Sequence, residues 1–282
     1  MNKREVDTRE IREAVKSLFI QANTVLREDV TRALEKLYKA EAPGGAKEML
    51  GILVENAGIA REQGIPVCQD TGMAIVFIDI GEDVILTGEN INKAVNKGVE
   101  EARVEGNLRR SVVADPFIRD NTGTNTPAVI HIEIVEGDRI GISVMPKGFG
   151  SENKSVTGML NPTAGEEAVV DFCVEAVRRA GPDACPPYVL GVGIGGTADL
   201  CALMAKKALL RPIDSRNCKE HIACLEKRIE EAVRELDIGV MGLGGNSTVM
   251  GVNVEVWPTH IAGLPVSVNI ACHALRSAAR LI

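Results

Sequence analysis

The sequence predicts a mixed α/β fold in which an N-terminal helical layer precedes mixed strands and helices, including a hairpin, and which is not a Rossmann fold. Three observations predict it. The first sixty or so residues carry apolar side chains at helical spacing and no alternating run. After Pro66, short aliphatic runs bounded by Gly, Pro and Asp begin, with helical patterns between them. The Gly-rich word Gly191-Val192-Gly193-Ile194-Gly195-Gly196 follows a strand and precedes a helix, but no second strand comes next. Asp214, at about the right distance for a ribose contact, stands between two helical segments, so the word reads as close helix–strand packing.

Two helices are expected between 8 and 40, the first with Ile11, Val15, Leu18 and Ala22 on one face, the second with Val30, Leu34, Leu37 and Tyr38. Ala42-Pro43-Gly44-Gly45 breaks the pattern, and a third helix with Leu50, Leu53, Val54, Ala57 and Ala60 on one face ends near Gly64. A buried strand at 74–80 and a polar helix at 91–105 follow. The stretch from Gly106 to Pro127 is too rich in turn formers for regular structure, and loops of that length in compact domains are usually functional or disordered. Runs at 128–135 and 139–145 alternate around Glu136-Gly137-Asp138, which predicts the hairpin. A second polar loop, 146–155, leads to a helix at 162–180 that carries Val169, Phe172, Cys173 and Val177 on a stripe and stops at Gly181-Pro182. A strand at 188–194, helices ending near 210 and spanning 219–236, a Gly-rich loop at 242–245 and strands at 252–256 and 266–270 complete the chain. No internal repeat, low-complexity tract or flexible linker is visible.

Composition narrows the function. The 282 residues suffice for a full hydrophobic core, and with 45% apolar but only 3% aromatic residues that core is aliphatic. A net charge of −7 argues against nucleic acid or an anionic membrane as partner. An anionic substrate then needs a local basic pocket, for which Arg109, Arg119 and Lys147 in the two polar loops are candidates. An arginine fork suits a carboxylate because two parallel charge-assisted bonds fix both position and plane. The charged start, Met1 to Asp7, has no apolar core and predicts no secretory leader. No apolar run reaches the roughly 18 residues of a membrane span. Seven scattered cysteines make a poor disulfide framework and predict reduced thiols in a cytoplasmic protein.

The cysteines sort by context. Cys173 and Cys201 fall on apolar stripes and read as small core residues. Cys218 and Cys224, six apart on or near a polar helix, match neither a zinc knuckle nor a redox pair. Cys68, Cys185 and Cys272 lie instead at breaks in periodicity: Pro66-Val67-Cys68-Gln69-Asp70-Thr71-Gly72, Ala184-Cys185-Pro186-Pro187-Tyr188 and Asn269-Ile270-Ala271-Cys272-His273. Spacing alone leaves open whether they are isolated thiols or metal ligands. Of the histidines, His131 and His221 read as structural or solvated. His260 ends a strand twelve residues before Cys272 and could reach the same space, as a hydrogen-bonded fixture or as a catalyst.

Taken with Leu108-Arg109, Asp115-Pro116, Asn121-Thr122-Gly123-Thr124-Asn125-Thr126-Pro127, Lys147-Gly148-Phe149-Gly150-Ser151-Glu152-Asn153-Lys154 and Gly195-Gly196-Thr197, these words occur in a recognisable order. The chain resembles the alpha subunit, or N-terminal domain, of class I iron-sulfur-dependent fumarate hydratases and L-tartrate dehydratases. The resemblance covers nearly the whole length, making 1–282 a single domain of that kind. It implies that Cys68, Cys185 and Cys272 hold a 4Fe-4S cluster with one open iron, where ferredoxin-type clusters take four thiolates. It implies further that Gln69, Arg109 and Gly150 bind substrate and that Asp70 and His260 handle protons. The reaction implied is reversible hydration of fumarate to (S)-malate, or dehydration of L(+)-tartrate. Single-chain relatives continue into a C-terminal domain that supplies further groups, so a separate beta subunit in an alpha2-beta2 assembly is expected, acting on a small dicarboxylate. Two readings of other classes compete: an iron-sulfur electron-transfer module, which expects a fourth cysteine ligand, and a nucleotide-binding domain using Gly191 to Gly196.

Overall fold

A computed structural model describes residues 3–282; Met1 and Asn2, the head of the charged N-terminal run, lie outside it. The chain begins β1 (Arg4–Asp7), α1 (Thr8–Thr24), α2 (Glu28–Ala40), α3 (Gly45–Gln63), β2 (Met73–Gly81), β3 (Val84–Thr87) and α4 (Ile91–Glu105). It continues β4 (Val129–Val135), β5 (Ile140–Lys147), α5 (Phe149–Glu152), β6 (Val156–Leu160) and α6 (Gly165–Ala180). Then come β7 (Tyr188–Gly196), α7 (Ala198–Ala208), α8 (Glu220–Arg234), β8 (Val249–Thr259), β9 (Leu264–Ala271) and β10 (Ala278–Leu281). The mixed α/β class is as expected, with only the short strand β1 ahead of the N-terminal helices. Two compact units are formed: one from the chain up to Arg27, Ala57–Phe149 and Arg276–Ile282, the other from Glu28–Asn56 and Gly150–Leu275.

In the first unit, Asp7 caps α1 by accepting the Arg9 N–H at 2.8 Å, and Asn90 caps α4 through the N–H groups of Asn92 and Lys93. Ile11, Val15, Leu18 and Phe19 of α1 and Val95, Val99 and Ala102 of α4 bury against Val76, Ile78, Ile142 and Val144 of a sheet ordered β10-β5-β2-β4. The expected hairpin is not formed. Both strands and their short turn exist, but β2 lies between them, parallel to β4 and antiparallel to β5. Alternation around a tight turn shows that two strands are near in sequence; it is silent about a third strand inserted between them. The turn passes over the end of β2, where Gly81 donates its N–H to the Arg139 carbonyl at 2.8 Å. A Cβ at Gly81 would stand 2.3 Å from the Gly137 oxygen, so only glycine fits under the crossing.

The second unit repeats this strand plan in the order β6-β9-β7-β8, with β7 parallel to β8 and antiparallel to β9. The duplication is one of topology and leaves no repeat in the sequence. Helices α6 and α8 cover one face through Val169, Cys173, Val177, Leu225, Ile229 and Val233. On the other face α7 closes directly on β7. A Cβ at Gly191 would lie 2.0 Å from the Ala205 carbonyl oxygen, and one at Gly193 would lie 2.2 Å from that of Cys201. Close helix–strand packing is therefore what the Gly-rich word provides. A Gly191→Ala substitution must push α7 off the strand and is expected to cost about 3 kcal/mol in urea denaturation; an unchanged midpoint would contradict this packing role.

Candidate functional site

The strand register explains how thiols 87 positions apart become neighbours. β7 and β9 are antiparallel with Val189 opposite Ala271, so the segment entering β7 lies beside the segment leaving β9. Cys185 precedes β7 and Cys272 directly follows β9. Cys185 takes a left-handed backbone, φ +58°, and donates its N–H to the Pro182 carbonyl at 3.1 Å. Its own carbonyl accepts the His273 N–H at 3.2 Å and lies 3.2 Å from His273 Nδ1. Beneath the pair, Tyr188 is fully buried and donates its hydroxyl to the Gly181 carbonyl. Burial raises that hydroxyl's pKa well above its ordinary range, and negative charge on Cys185, Asp183 and Cys272 adds to the effect. Three residues before Cys272, buried Asn269 donates to Glu152 Oε2 at 3.1 Å, while Lys206 pairs with the other oxygen.

In the first unit the loop carrying Cys68 is fastened at several points. The Val67 N–H reaches the Asn23 carbonyl at 2.9 Å. Arg276, buried, donates Nη1 to Asn23 Oδ1 at 2.9 Å and Nη2 to the Asp70 carbonyl at 2.8 Å. Asp70 itself accepts the Gly72 N–H on Oδ1 at 3.0 Å and the Phe149 N–H on Oδ2 at 2.9 Å. Thr71 Oγ1 accepts the Arg109 N–H at 2.9 Å, which sets the start of the long polar loop against the Cys68 loop. Asn125, buried with φ +64°, accepts the Ser111 N–H at 2.9 Å and donates to the Gly72 carbonyl at 3.3 Å. Gln69 and the Arg109 side chain are exposed. Asn23, Asn125 and Arg276 organise this loop and were not among the expected site residues. The turn-rich word around Asn125 and the place of Arg276 just after Cys272 were the available signals.

Within the second unit, His260 and Cys272 lie at opposite ends of the sheet. His260 follows β8, whose end pairs with Gly196, while Cys185 and Cys272 lie at the Tyr188 end of β7. The strand between is nine residues long, about 25 Å at ~3.3 Å per residue. His260 is exposed there, its Nδ1 accepting the Ala262 N–H at 3.2 Å.

Among the described residues, no three His, Cys, Asp or Glu side chains are grouped closely enough to hold a metal ion. The donor chemistry nonetheless suits an iron-sulfur group. Cys185 is exposed, Cys68 and Cys272 are half-buried, and none of the seven cysteines is in a disulfide. In the core, burial pushes Cys173 up to about 12 and Cys201 up to about 11, which keeps those two protonated and inert. No helix among the described residues is long and apolar enough to cross a membrane.

Comparison with known proteins places these features. Residues 12–280 match the family model described as fumarate hydratase (Fumerase). A Methanocaldococcus jannaschii protein provisionally named L(+)-tartrate dehydratase subunit alpha is 43% identical over 279 residues, 96% of this chain and 97% of that one. The L(+)-tartrate dehydratase subunit alpha of Escherichia coli K12 is 35% identical over 274 residues, 96% of this chain and 90% of that one. With the match running almost from end to end, the chain belongs to the fumarate hydratase family.

Proposed function

We propose that this chain is the alpha subunit of a two-subunit hydro-lyase that interconverts fumarate and (S)-malate, with Cys68, Cys185 and Cys272 holding a 4Fe-4S cluster. The family match and the subunit names of the relatives support the hydro-lyase class. The observation that carries the site is the juxtaposition of Cys185 and Cys272 by the β7–β9 register and by the His273 N–H on the Cys185 carbonyl. Three thiolates leave one iron without a protein ligand, and such a cluster, when bound, supplies a Lewis acid for the substrate's hydroxyl and carboxylate oxygens.

The chain's own residues do the rest. Arg109 grips a carboxylate through its guanidinium fork, its backbone held on Thr71. Gln69 donates a hydrogen bond to the same anion. Gly150 leaves room, since nothing lies within 4 Å of where its Cβ would be. Asp70 is the proton-handling group, its plane fixed by the Gly72 and Phe149 N–H groups. His260, exposed just after β8, is the second proton-handling candidate. Residues 1–282 act as one family domain, in an alpha2-beta2 assembly in the cytoplasm, with the beta subunit completing the active site.

The relatives' names favour a second reading, L(+)-tartrate dehydratase. Anaerobic reconstitution with the partner subunit, followed by assay on fumarate and L(+)-tartrate side by side, separates the two. Turnover of fumarate at the higher kcat/KM is expected, and none above background from the chain alone. Preference for tartrate selects the second reading. Full-rate turnover by the chain alone removes the beta subunit from the proposal. A reversible one-electron couple with no turnover of either acid makes the protein an electron carrier.

A further inference from the structure

β4 is an edge strand: in the order β10-β5-β2-β4, no strand among the described residues pairs with its outer side. It is also long for an edge, seven residues, and apolar, with Ile134 69% exposed, Ile132 41%, Val135 40% and Val129 38%. Proteins blunt such edges with prolines, bulges or lysines because an open apolar edge recruits other strands. β4 has no proline, bulge or lysine, and its one carboxylate is Glu133. Its parallel register with β2 is unbroken from Val129 to Val135.

The sequence of the strand, Val129-Ile130-His131-Ile132-Glu133-Ile134-Val135, is nearly palindromic about Ile132. We propose that β4 pairs with β4 of a second copy of this chain, antiparallel and centred on Ile132, joining the two first-unit sheets edge to edge. In that register Val129 faces Val135, Ile130 faces Ile134, and Ile132 faces its own counterpart. His131 of each copy faces Glu133 of the other, an ion pair made twice by the two-fold axis. Ile130, Ile132 and Ile134 lie on the same face of the sheet as Val76, Ile78 and Ile80, their register partners on the core side of β2. A two-fold perpendicular to the sheet keeps that face continuous, so the isoleucines exposed at the edge of one core meet those of the other.

The neighbouring registers are worse. Centring on His131 sets Val129 against Glu133 and the two histidines against each other; centring on Glu133 opposes two carboxylates. A slip by one residue in pairing sends isoleucines to the polar face. Charge complementarity and the apolar repeat thus select one alignment, and its occupant is a copy of the same strand. The inference stands on this strand alone and does not require the proposed chemistry.

Cysteine cross-linking reads the register directly, since facing residues of an antiparallel pair have Cα atoms about 4.5–5.5 Å apart, within disulfide range. In the full chain co-expressed with its partner subunit, Ile132→Cys is expected to give a covalent dimer of the chain under mild oxidation. The parent, with its seven native cysteines, should not. Ile134→Cys alone should stay unlinked, but a mixture with Ile130→Cys should link. An Ile132→Cys adduct to the partner subunit, or no dimer above the parent, overturns the proposal. Ile134→Lys, at an exposed position that leaves the fold intact by circular dichroism, should halve the assembly's mass in light scattering. An unchanged mass overturns it as well.

Discussion

A Cys185→Ser variant of the assembled enzyme is expected to lose iron, sulfide and hydro-lyase turnover together while keeping its fold. The side chain is exposed and packs in no core, so little stability depends on it. Serine preserves the backbone that matters locally, including the carbonyl that accepts the His273 N–H. What it removes is one of the three thiolates proposed to hold the cluster, and an alcohol is a poor iron ligand at neutral pH. A Lewis acid contributes several kcal/mol of transition-state stabilisation, and each ~1.4 kcal/mol is tenfold in rate, so turnover should fall by roughly 1,000-fold or more. Cys218→Ser provides the control: also exposed, but outside the proposed site, it should retain both iron content and rate. Wild-type iron content in Cys185→Ser would mean that this thiol holds no cluster.

How much of this was legible beforehand depended on the range of the interaction involved. The spacing of Ile11, Val15, Leu18 and Ala22 gave α1, because helical periodicity is a local property and the buried face shows it. The polar helix expected at about 91–105 is α4, and in the structure Asn90 caps its start. The short strands β1, β3, β6 and β10 were not seen, since four or five residues are too few for a period to declare itself. The hairpin was misread for a different reason. Whether Ile140–Lys147 pairs with Val129–Val135 or with Met73–Gly81 is decided by contacts far apart in sequence, and the turn at 136–139 is compatible with both.

The site divides along the same line. That Cys68, Cys185 and Cys272 differ from the core thiols was visible from the Pro, Gly and Asp around them, and the burial of Cys173 and Cys201 agrees. That Cys185 and Cys272 are neighbours follows only from the β7–β9 register. The same register moves His260 to the other end, although its twelve-residue spacing from Cys272 suggested closeness. In a strand-turn-strand segment, sequence spacing measures distance along the path, and the path here runs the full length of the sheet. Asn125 and Arg276 stand in words the sequence marked, but their roles were not legible, because which backbone carbonyls a buried polar side chain binds is set by the fold.

Glu226→Ala is expected to be the most destabilising single change away from the site, by about 3 to 5 kcal/mol in urea denaturation. Glu226 lies on α8 and is fully buried. Its Oε1 accepts the Val254 N–H at 2.9 Å, its Oε2 accepts the Asn217 N–H at 3.0 Å, and it pairs with Arg211. Truncation thus strips the half-buried Arg211 of its main counter-charge and leaves two backbone donors without an acceptor. Which loss dominates can be decided. If charge does, replacing both partners by apolar residues (Arg211→Met with Glu226→Leu) recovers most of the stability, as apolar substitutes for buried ion pairs often do. If the backbone donors do, the double variant stays low and Glu226→Gln, which keeps a carbonyl oxygen for one of them, recovers more. The second outcome is expected. The Arg211 side chain is about 20% exposed and lies 3.1 Å from Glu255, so part of its charge is already compensated, whereas the Val254 N–H lies in the central span of β8 with no water to turn to. With whole domains stable by only about 5–15 kcal/mol, Glu226→Ala should leave the folded state barely populated at physiological temperature. A loss below about 1 kcal/mol would show that α8 is held to β8 by its apolar face alone.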